Sequence, residues 1–388
     1  MHQGKTGPLH GIRIIDLTQF ILGPYATQNL GDLGADIIKV EEPSGDRQRR
    51  QGKAPKSVET MGPVFVGLNR NKRSVAIDLK TEPGKRALAK LIKTGNVFIH
   101  NMRPEAVKRL GFSYAEVAKI KPDIIYVEAV GYASNGPYAG LQSFDDLVQA
   151  ASGTGSLIPM VEKANDLQLI PSYIADKTVG LFATIATLAA LTHHARTGEG
   201  QFVEVPMLET FTGFMLAEHL WGHTWDPPTG KIGSTTALTP HRKPYRTKDG
   251  FIAILPAARD QSTKFLELGG ISDAYNSERF LSAPPGSRVE VYYEMMREAA
   301  ATKTTAEWMK ICAENSIPAM RANELSNVFE DPHLKATGFF EMREIEGEGR
   351  YRAMRPGIRF ANTPSSIRFD PPKIGEHTEE IMREVGQE

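Results

Sequence analysis

The chain has 388 residues, of which 40% are hydrophobic and 24% are charged. This length exceeds what one hydrophobic core usually organises, and the average composition excludes a disordered chain or a small disulfide-stapled module. Lysine and arginine together number 46, as do aspartate and glutamate. The formal net charge is therefore zero, which excludes a global attraction to nucleic acid or anionic lipid.

The first third of the chain alternates between short β-branched runs and helical patterns. Runs typical of strands are found at 12–16, 36–41, 74–79, 96–100 and 124–130. Helical patterns lie between them, one of which is continuous over 104–122. Strands that alternate with helices form a parallel sheet with helices on both faces. The sequence therefore predicts an α/β fold built on a doubly wound parallel sheet.

The pattern changes in the second half of the chain. A stretch rich in proline and glycine resembles a linker, and a hairpin-like pair of strands is then expected around Asp249-Gly250. Residues 260–330 carry amphipathic helical patterns. We expect a large domain over 1–220, a linker and a smaller α+β domain over 221–335, and a return to the large domain over 336–388.

The single cysteine, Cys312, cannot form an internal disulfide, and its helical surroundings favour a packed core thiol. Residues 1–17 lack the continuous apolar core of a signal peptide, so we expect a cytoplasmic protein. The longest apolar stretch starts at Val179, is rich in alanine and threonine, and runs into two histidines. We predict a buried helix there rather than a membrane span.

Several common catalytic motifs are missing from the sequence. The turn after the first strand contains no G-x-G-x-x-G, and the P-loop, H-E-x-x-H and G-x-S-x-G patterns are absent. Among ten histidines only His193 and His194 are adjacent, and neighbours on a helix point in different directions. The sequence therefore predicts neither a redox nucleotide nor a metal site.

One acidic residue has an informative position. Asp176, in PSYIADKTVG, stands where the long apolar helix begins. An aspartate at a helix start is commonly an N-cap, but a carboxylate there can also act as a nucleophile. This residue alone leaves both interpretations open.

Six blocks, in chain order, resemble the class III CoA-transferase family, also called CaiB/BaiF. They are DLTQFILGPYATQNLGDLGADIIKVEEPSGD, NRNKRSVAIDLKT, VFIHNMRPEAVKRLGF, GYASNGPYAG, IADKTVG with TGEGQFVEVPM, and GEHTEEIMREVG. The family includes formyl-CoA transferase, carnitine CoA-transferase and alpha-methylacyl-CoA racemase. The resemblance implies a doubly wound large domain joined to a small one, and two chains interlocked as a homodimer with active sites at their interface.

The resemblance also implies an activity. Asp176 stands at the position of the family's catalytic aspartate, which forms a mixed anhydride with the acyl group of an acyl-CoA and then an aspartyl-CoA thioester. CoA passes from that thioester to an incoming carboxylic acid. We therefore expect a CoA-transferase whose substrates are acyl-CoA and a carboxylic acid, with no metal or redox cofactor. The helix N-terminus is expected to keep the Asp176 carboxylate ionised.

The family pattern maps a coenzyme A site onto the large domain. Lys80 and Arg109 are the cations expected near the nucleotide phosphates, and Ile77 and Met102 are expected to line the adenine slot. The complete set of expected CoA-binding residues is Phe20, Ile77, Lys80, Asn101, Met102 and Arg109.

Three positions of this sequence depart from formyl-CoA transferase. Ile21 stands in place of a glutamine, Glu42 in place of an arginine and Gln142 in place of a lysine. These losses argue against formate or oxalate as a substrate. The candidates to replace the missing cation are the arginines of the following turn, Arg47, Arg49 and Arg50.

Two other functions stay open. The racemase branch uses a histidine and an aspartate on opposite faces of the acyl carbon, but Phe144 occupies the histidine position and carries no titratable proton. The adjacent Asp145 is either an N-cap or an electrostatic partner of the site. A CoA-binding protein without turnover is also compatible with the fold. The basic segment 241–246 either holds the distal carboxylate of a dicarboxylic acid or lies in a solvated linker.

Overall fold

The computed structural model describes residues 7–56 and 60–386 and divides the chain into two compact units. The first unit contains the residues up to 159, those from 164 to 220, and those from 337 onward. The second contains 160–163 and 221–336. The carboxyl-terminal segment therefore shares a unit with the amino-terminal part of the chain.

The first unit is built on a six-stranded parallel sheet with the order β3-β2-β1-β4-β5-β6. The prediction of a doubly wound parallel sheet is confirmed. Successive strands are added on one side of β1 up to β3 and on its other side from β4 onward, and open α/β sheets bind their ligands at such a switch point. The strands are β1 (Arg13–Asp16), β2 (Asp36–Glu41), β3 (Lys72–Ala76), β4 (Val97–His100), β5 (Ile125–Val130) and β6 (Gln201–Pro206).

Helices connect these strands and cover the sheet. The continuous pattern over 104–122 forms two helices instead of one, because Gly111 adopts a left-handed φ of 86° and ends the first of them. The helices of the first unit up to β6 are α1 (Leu22–Asp32), α2 (Pro63–Leu68), α3 (Glu82–Thr94), α4 (Pro104–Leu110), α5 (Tyr114–Ile120), α6 (Asp145–Ala151), α7 (Leu157–Glu162, which crosses the unit boundary) and α8 (Ile174–Thr197).

The apolar stretch predicted as a buried helix forms α8, which is long and apolar enough to cross a membrane. One face of α8 packs into the core of the first unit through Ala175, Val179 and Ala183, which are fully buried. Half of the most apolar 18-residue stretch of this helix is buried. The prediction of a buried helix is confirmed for that face.

The second unit combines helices with a three-stranded sheet. Strands β7 (Tyr245–Arg246) and β8 (Phe251–Ile254) form the antiparallel pair that was expected around Asp249-Gly250. Cys312 lies on α13 (Thr305–Glu314) and is buried in the core of this unit. Burial raises the pKa of the Cys312 thiol to about 11. The elements from α9 onward are α9 (Met207–His219, in the first unit), β7 (Tyr245–Arg246), β8 (Phe251–Ile254), α10 (Arg259–Leu268), α11 (Glu278–Leu281), α12 (Arg288–Ala300), α13 (Thr305–Glu314), β9 (Ala319–Arg321) and α14 (Pro332–Ala336), followed by β10 (Phe340–Ile345), β11 (Gly349–Met354) and α15 (Thr378–Glu384) of the first unit.

Candidate active site

A cleft of about 730 Å³ opens at the carboxyl ends of the central strands of the first unit. It is lined by residues that follow β1, β4 and β5, by part of the loop 131–144, and by Asp176. In open parallel sheets the ligand crevice lies outside the carboxyl ends of the strands, at the switch point. The cleft therefore occupies the place where this topology positions a binding site.

Asp176 lies in the first turn of α8, three residues after Tyr173, which is the N-cap position. The N-cap interpretation of Asp176 is therefore wrong, and its half-buried side chain lines the cleft instead. Its own backbone N–H donates to Oδ1 of Asp145 at 2.9 Å. Asp145 thus supplies the acceptor that a helix N-terminus needs, from an element distant in sequence.

Asp145 is the first residue of α6 and is almost fully buried, so the interpretation of it as the N-cap of that helix is also wrong. Its Oδ2 accepts from Nε2 of Gln149 at 2.6 Å. The Gln149 amide in turn accepts from the N–H of Ile170 at 2.9 Å and donates to the carbonyl of Ser172 at 3.1 Å. These bonds fix the segment that leads into α8 and thereby the position of Asp176.

Burial raises the pKa of Asp176 to about 7, with further contributions from the carboxylates of Asp145 and Asp146. The helix N-terminus was expected to keep this carboxyl ionised, whereas desolvation and two like charges act in the opposite direction. A carboxylate with a raised pKa is more basic once it is ionised. Such a perturbed group in a cleft is typical of a reactive side chain.

Phe20 and Phe144 form an aromatic wall of the cleft beside Asp176. Their rings meet edge to face, with centroids 5.8 Å apart. Phe20 has a φ of 66°, which is a strained conformation for a bulky residue and commonly marks a functional segment. At this wall Phe144 offers an apolar surface and no proton.

The structure brings together only part of the expected CoA-binding set. Phe20, Asn101 and Met102 line the cleft with Asp176. The side chain of Asn101 also braces the segment after β1, since its Oδ1 accepts from the N–H of Gln19 at 2.8 Å and its Nδ2 donates to the Gln19 carbonyl at 2.7 Å.

The remaining three expected residues do not line the cleft. Ile77 is only 6% exposed and packs in a hydrophobic core cluster that includes Leu88 and Val107. Lys80 and Arg109 are exposed on the surface of the first unit. The family pattern therefore assigns to one CoA site three residues that line the cleft, one that lies in the core and two that lie on the surface.

Of the three positions that depart from formyl-CoA transferase, Glu42 and Gln142 line the cleft, and Ile21 is buried just before α1. The candidate replacement cations differ in their surroundings. Arg49 is fully buried and pairs with Glu41 at 2.6 Å.

The other two arginines of this turn are exposed. Arg50 donates to the carbonyl of Ser44 at 2.9 Å and does not line the cleft, whereas Arg47 lines it. Arg47 is therefore the arginine of this turn that is available to a ligand in the cleft.

Two glutamates near the cleft were not predicted as site residues from the sequence. Glu128 and Glu204 are direct partners on β5 and β6, and Glu204 lines the cleft while accepting from the N–H of Ser134 at 3.0 Å. Burial and the charge of Glu204 raise the pKa of Glu128 to about 7. The signal was present, because each glutamate interrupts an apolar strand in IIYVEAV or FVEVP.

The basic segment 241–246 belongs to the second unit. The ring of His241 stacks on Tyr293 with centroids 4.7 Å apart, and the Arg246 guanidinium lies 4.6 Å from the centre of the Phe251 ring. These contacts give two of its basic side chains a local packing role. Within residues 7–56 and 60–386, no group of three or more histidine, cysteine, aspartate and glutamate side chains is arranged to hold a metal ion.

Comparisons with known proteins agree with the fold. A sequence profile described as CoA-transferase family III matches residues 9–378. The succinate–glutarate CoA-transferase of Agrobacterium fabrum is 30% identical over 97% of this chain and 96% of its own. The beta subunit of the succinyl-CoA–L-malate CoA-transferase of Chloroflexus aurantiacus is 30% identical over 98% of this chain and 94% of its own.

A crystal structure of a CaiB/BaiF family protein from Brucella suis superposes with a TM-score of 0.83 at 28% identity, and the match covers 98% of this chain and 100% of that one. The resemblance drawn from the six sequence blocks is confirmed. The chain belongs to CoA-transferase family III and is an enzyme that moves CoA from an acyl-CoA to a carboxylic acid.

Proposed function

We propose that Asp176 is the nucleophile of this CoA transfer. The observation that carries the proposal is a half-buried carboxylate in the first turn of α8 that lines the cleft, with a pKa raised to about 7 by burial and by neighbouring carboxylates. An ionised carboxylate that is poorly solvated attacks a thioester carbonyl more readily than one in water. No metal or redox group enters this chemistry.

The reaction consists of four substitutions at carbonyl carbon. The Asp176 carboxylate attacks the donor acyl carbon, the C–S bond breaks, and CoA leaves as a thiolate from a mixed anhydride. The thiolate attacks the aspartyl carbon, which forms aspartyl-CoA and releases the donor acid as a carboxylate. The acceptor carboxylate attacks that thioester and expels the thiolate, which then attacks the acceptor carbonyl and regenerates Asp176. Each step conserves the energy of an activated acyl group, and no net proton is consumed.

Asp145 acts as a positioning residue in this proposal. Its hydrogen bond to the backbone N–H of Asp176 fixes the first turn of α8, and its charge contributes to the raised pKa of the nucleophile. A nucleophile held in one geometry reacts faster, because the cost of orienting it has been met on folding.

The first unit is the CoA-binding domain in this proposal. Phe20, Asn101 and Met102 contact CoA within the cleft, since they line it beside Asp176. Lys80 and Arg109 bind nucleotide phosphates where the coenzyme extends beyond the cleft, and Ile77 supports the adenine slot from the core.

Dicarboxylic acids are the substrate class that we propose. The relatives from Agrobacterium fabrum and Chloroflexus aurantiacus are named for succinate, glutarate and malate, which each carry two carboxyl groups. The loss of the glutamine and lysine positions at Ile21 and Gln142 agrees with a substrate other than formate or oxalate.

We also propose that two chains interlock as a homodimer. The face of α8 opposite the core exposes Leu181, Phe182 and Ile185 by 45%, 38% and 58%. Adjacent exposed apolar side chains on one long helix are typical of a protein–protein interface. Sedimentation velocity at low micromolar concentration tests this proposal, and a stable folded monomer would contradict it.

We propose a cytoplasmic location as well. The single cysteine, Cys312, is buried, so the fold relies on no internal disulfide and is compatible with a reducing compartment.

Hydroxylamine trapping tests the proposed mechanism. The wild-type protein is incubated with succinyl-CoA and hydroxylamine, and we expect inactivation together with a hydroxamate on the peptide that contains Asp176. Asp176→Asn binds succinyl-CoA and gives no hydroxamate, whereas the matched variant of an exposed aspartate, Asp166→Asn, reacts like the wild type. A wild-type protein that transfers CoA without any Asp176 adduct would contradict the proposal.

A further inference from the structure

The cleft contains two guanidinium groups from different parts of the first unit, Arg47 and Arg103. Arg103 directly follows Asn101 and Met102, so it lies on the side where CoA is expected. Arg47 comes from the turn after β2. Within the described ranges 7–56 and 60–386, no carboxylate lies within ion-pair distance of Arg47. An exposed guanidinium in a cleft is suited to bind an anionic ligand.

Buried side chains hold the turn that carries Arg47 in place. The side chain of Asp46 accepts from Lys39 Nζ at 3.1 Å and from the N–H of Gln48 at 3.0 Å, and both Lys39 and Asp46 are buried. The next arginine along the chain, Arg49, is fixed by its buried pair with Glu41. The backbone of Arg47 is therefore pre-positioned, and only its side chain adjusts to a ligand.

Two contacts connect this turn to the surroundings of Asp176. Gln51 Nε2 donates to the Tyr173 hydroxyl at 3.1 Å, and Tyr173 precedes α8. The N–H of Phe20 points to Asp46 Oδ1 at 3.5 Å, and the Phe20 ring meets the ring of Phe144. Phe144 precedes Asp145, which accepts from the backbone N–H of Asp176. These contacts place the turn on the Asp176 side of the cleft, which is where the acyl group of a substrate must lie if Asp176 attacks it.

We infer that Arg47 binds the distal carboxylate of a dicarboxylic substrate and thereby selects dicarboxylic over monocarboxylic acids. This inference rests on the function proposed above. When the reacting carboxyl group meets Asp176, a dicarboxylate presents a second carboxylate to the guanidinium, and a monocarboxylic acid presents only a methyl group. The donor acid leaves from the same place that the acceptor enters, so Arg47 serves both halves of the exchange.

The test measures kcat/KM for two acceptors of equal chain length, glutarate and pentanoate. In a double-displacement reaction this ratio for the acceptor does not depend on the donor, so one donor suffices. We expect Arg47→Gln to lower kcat/KM for glutarate by about 10- to 100-fold, the range of one charge-assisted hydrogen-bonded pair, while the value for pentanoate changes by less than about 3-fold. Arg47→Lys should recover part of the glutarate activity because it restores the charge without the planar fork.

Arg50→Gln is the matched control, since Arg50 lies on the same turn but does not line the cleft. It should leave both acceptors unchanged. Calorimetry with free CoA should give the same affinity for Arg47→Gln and the wild type.

Three results would overturn the inference: equal losses for glutarate and pentanoate, weaker binding of free CoA to Arg47→Gln, or a wild type that does not prefer glutarate. The second result would make Arg47 a nucleotide-binding cation. A wild type that transfers CoA to neither acid and forms no Asp176 adduct would instead remove the proposed function, and this inference would fall with it.

Discussion

Two groups of buried charges in the first unit differ in how they are compensated. Beneath the turn after β2, Lys39 pairs with Asp46 at 3.1 Å and Arg49 pairs with Glu41 at 2.6 Å. Burial alone would raise the pKa of Glu41, but the hydrogen bond and charge of Arg49, with the charge of Lys39, hold it at about 2. Asp176 has only carboxylates among the charges that shift its pKa, which rises to about 7. Pairing, rather than burial alone, therefore separates the lowered pKa of Glu41 from the raised pKa of the proposed nucleophile, Asp176.

The largest expected effect is on activity at the unpaired site. Asp176→Ala should lower the rate of CoA transfer by at least about a thousand-fold, because no other group can form the covalent intermediates. Enzyme assays with succinyl-CoA and glutarate measure the loss, and circular dichroism checks that the variant is folded. Activity close to that of the wild type would show that the unpaired carboxylate is not the functional one.

The paired site should respond through stability. Arg49→Met leaves the buried carboxylate of Glu41 without its main partner, and removing one member of a buried ion pair costs about 3–5 kcal/mol of unfolding free energy. Urea unfolding measures this change. The control is Arg50→Met on the same turn, where an exposed arginine bonded to a carbonyl should contribute less than about 0.5 kcal/mol. Equal effects of the two substitutions would contradict the distinction between paired and unpaired charges.

The pH dependence of the reaction sharpens the comparison further. Because Asp176 must be ionised to attack, kcat/KM for acyl-CoA should rise with pH through about 7 and level off above it. Asp146→Asn removes one of the like charges that raise this pKa and should move the rising limb to lower pH, more so at low ionic strength. Asp166→Asn should leave the profile in place. A rise of kcat/KM centred near pH 4 would show that the pKa of the Asp176 carboxyl is not raised.

Much of the fold was predictable because local patterns specify it. The alternation of β-branched runs with helical segments predicted the parallel sheet, and the Asp249-Gly250 pair predicted the turn between β7 and β8. The division of the helix after residue 104 was not predicted, since the apolar spacing continues across Gly111 and only its left-handed backbone interrupts it. Strand order depends on pairings between distant segments that no local pattern encodes.

The position of the proposed nucleophile was predictable, and its supporting residues were less so. Asp176 was identified from the IADKTVG block and the other matching blocks, and the structure places it in the cleft. Its bond to Asp145 joins residues 31 positions apart, so the sequence could not choose between a cap and an electrostatic partner. Ile77 was expected in the ligand site but packs in the core, because side chains at a strand end alternate between the two faces of a sheet.

The smallest expected effect follows from the opposite signs of the two pKa shifts. Folding raises the pKa of Asp176 from 3.8 to about 7, so the folded state binds more protons than the unfolded state between these values. The associated stability is fully present below about pH 4 and is lost as the pH rises through 7. Folding lowers the pKa of Glu41 from 4.5 to about 2, so its stabilising effect is present above pH 4.5 and is lost as the pH falls through 2.

Asp176→Asn keeps the size of the side chain and removes the charge that resists burial. The variant should therefore be more stable than the wild type at pH 8, by about 1 kcal/mol once the partial exposure of the carboxylate is allowed for. The gain should be smaller at pH 5, where the wild-type carboxyl is already neutral in the folded state. Urea unfolding at the two pH values measures the difference, with Asp166→Asn as the control that should show none. A variant no more stable than the wild type at pH 8 would mean that the nucleophile is compensated after all, and the two groups of charges would then differ in location and not in electrostatics.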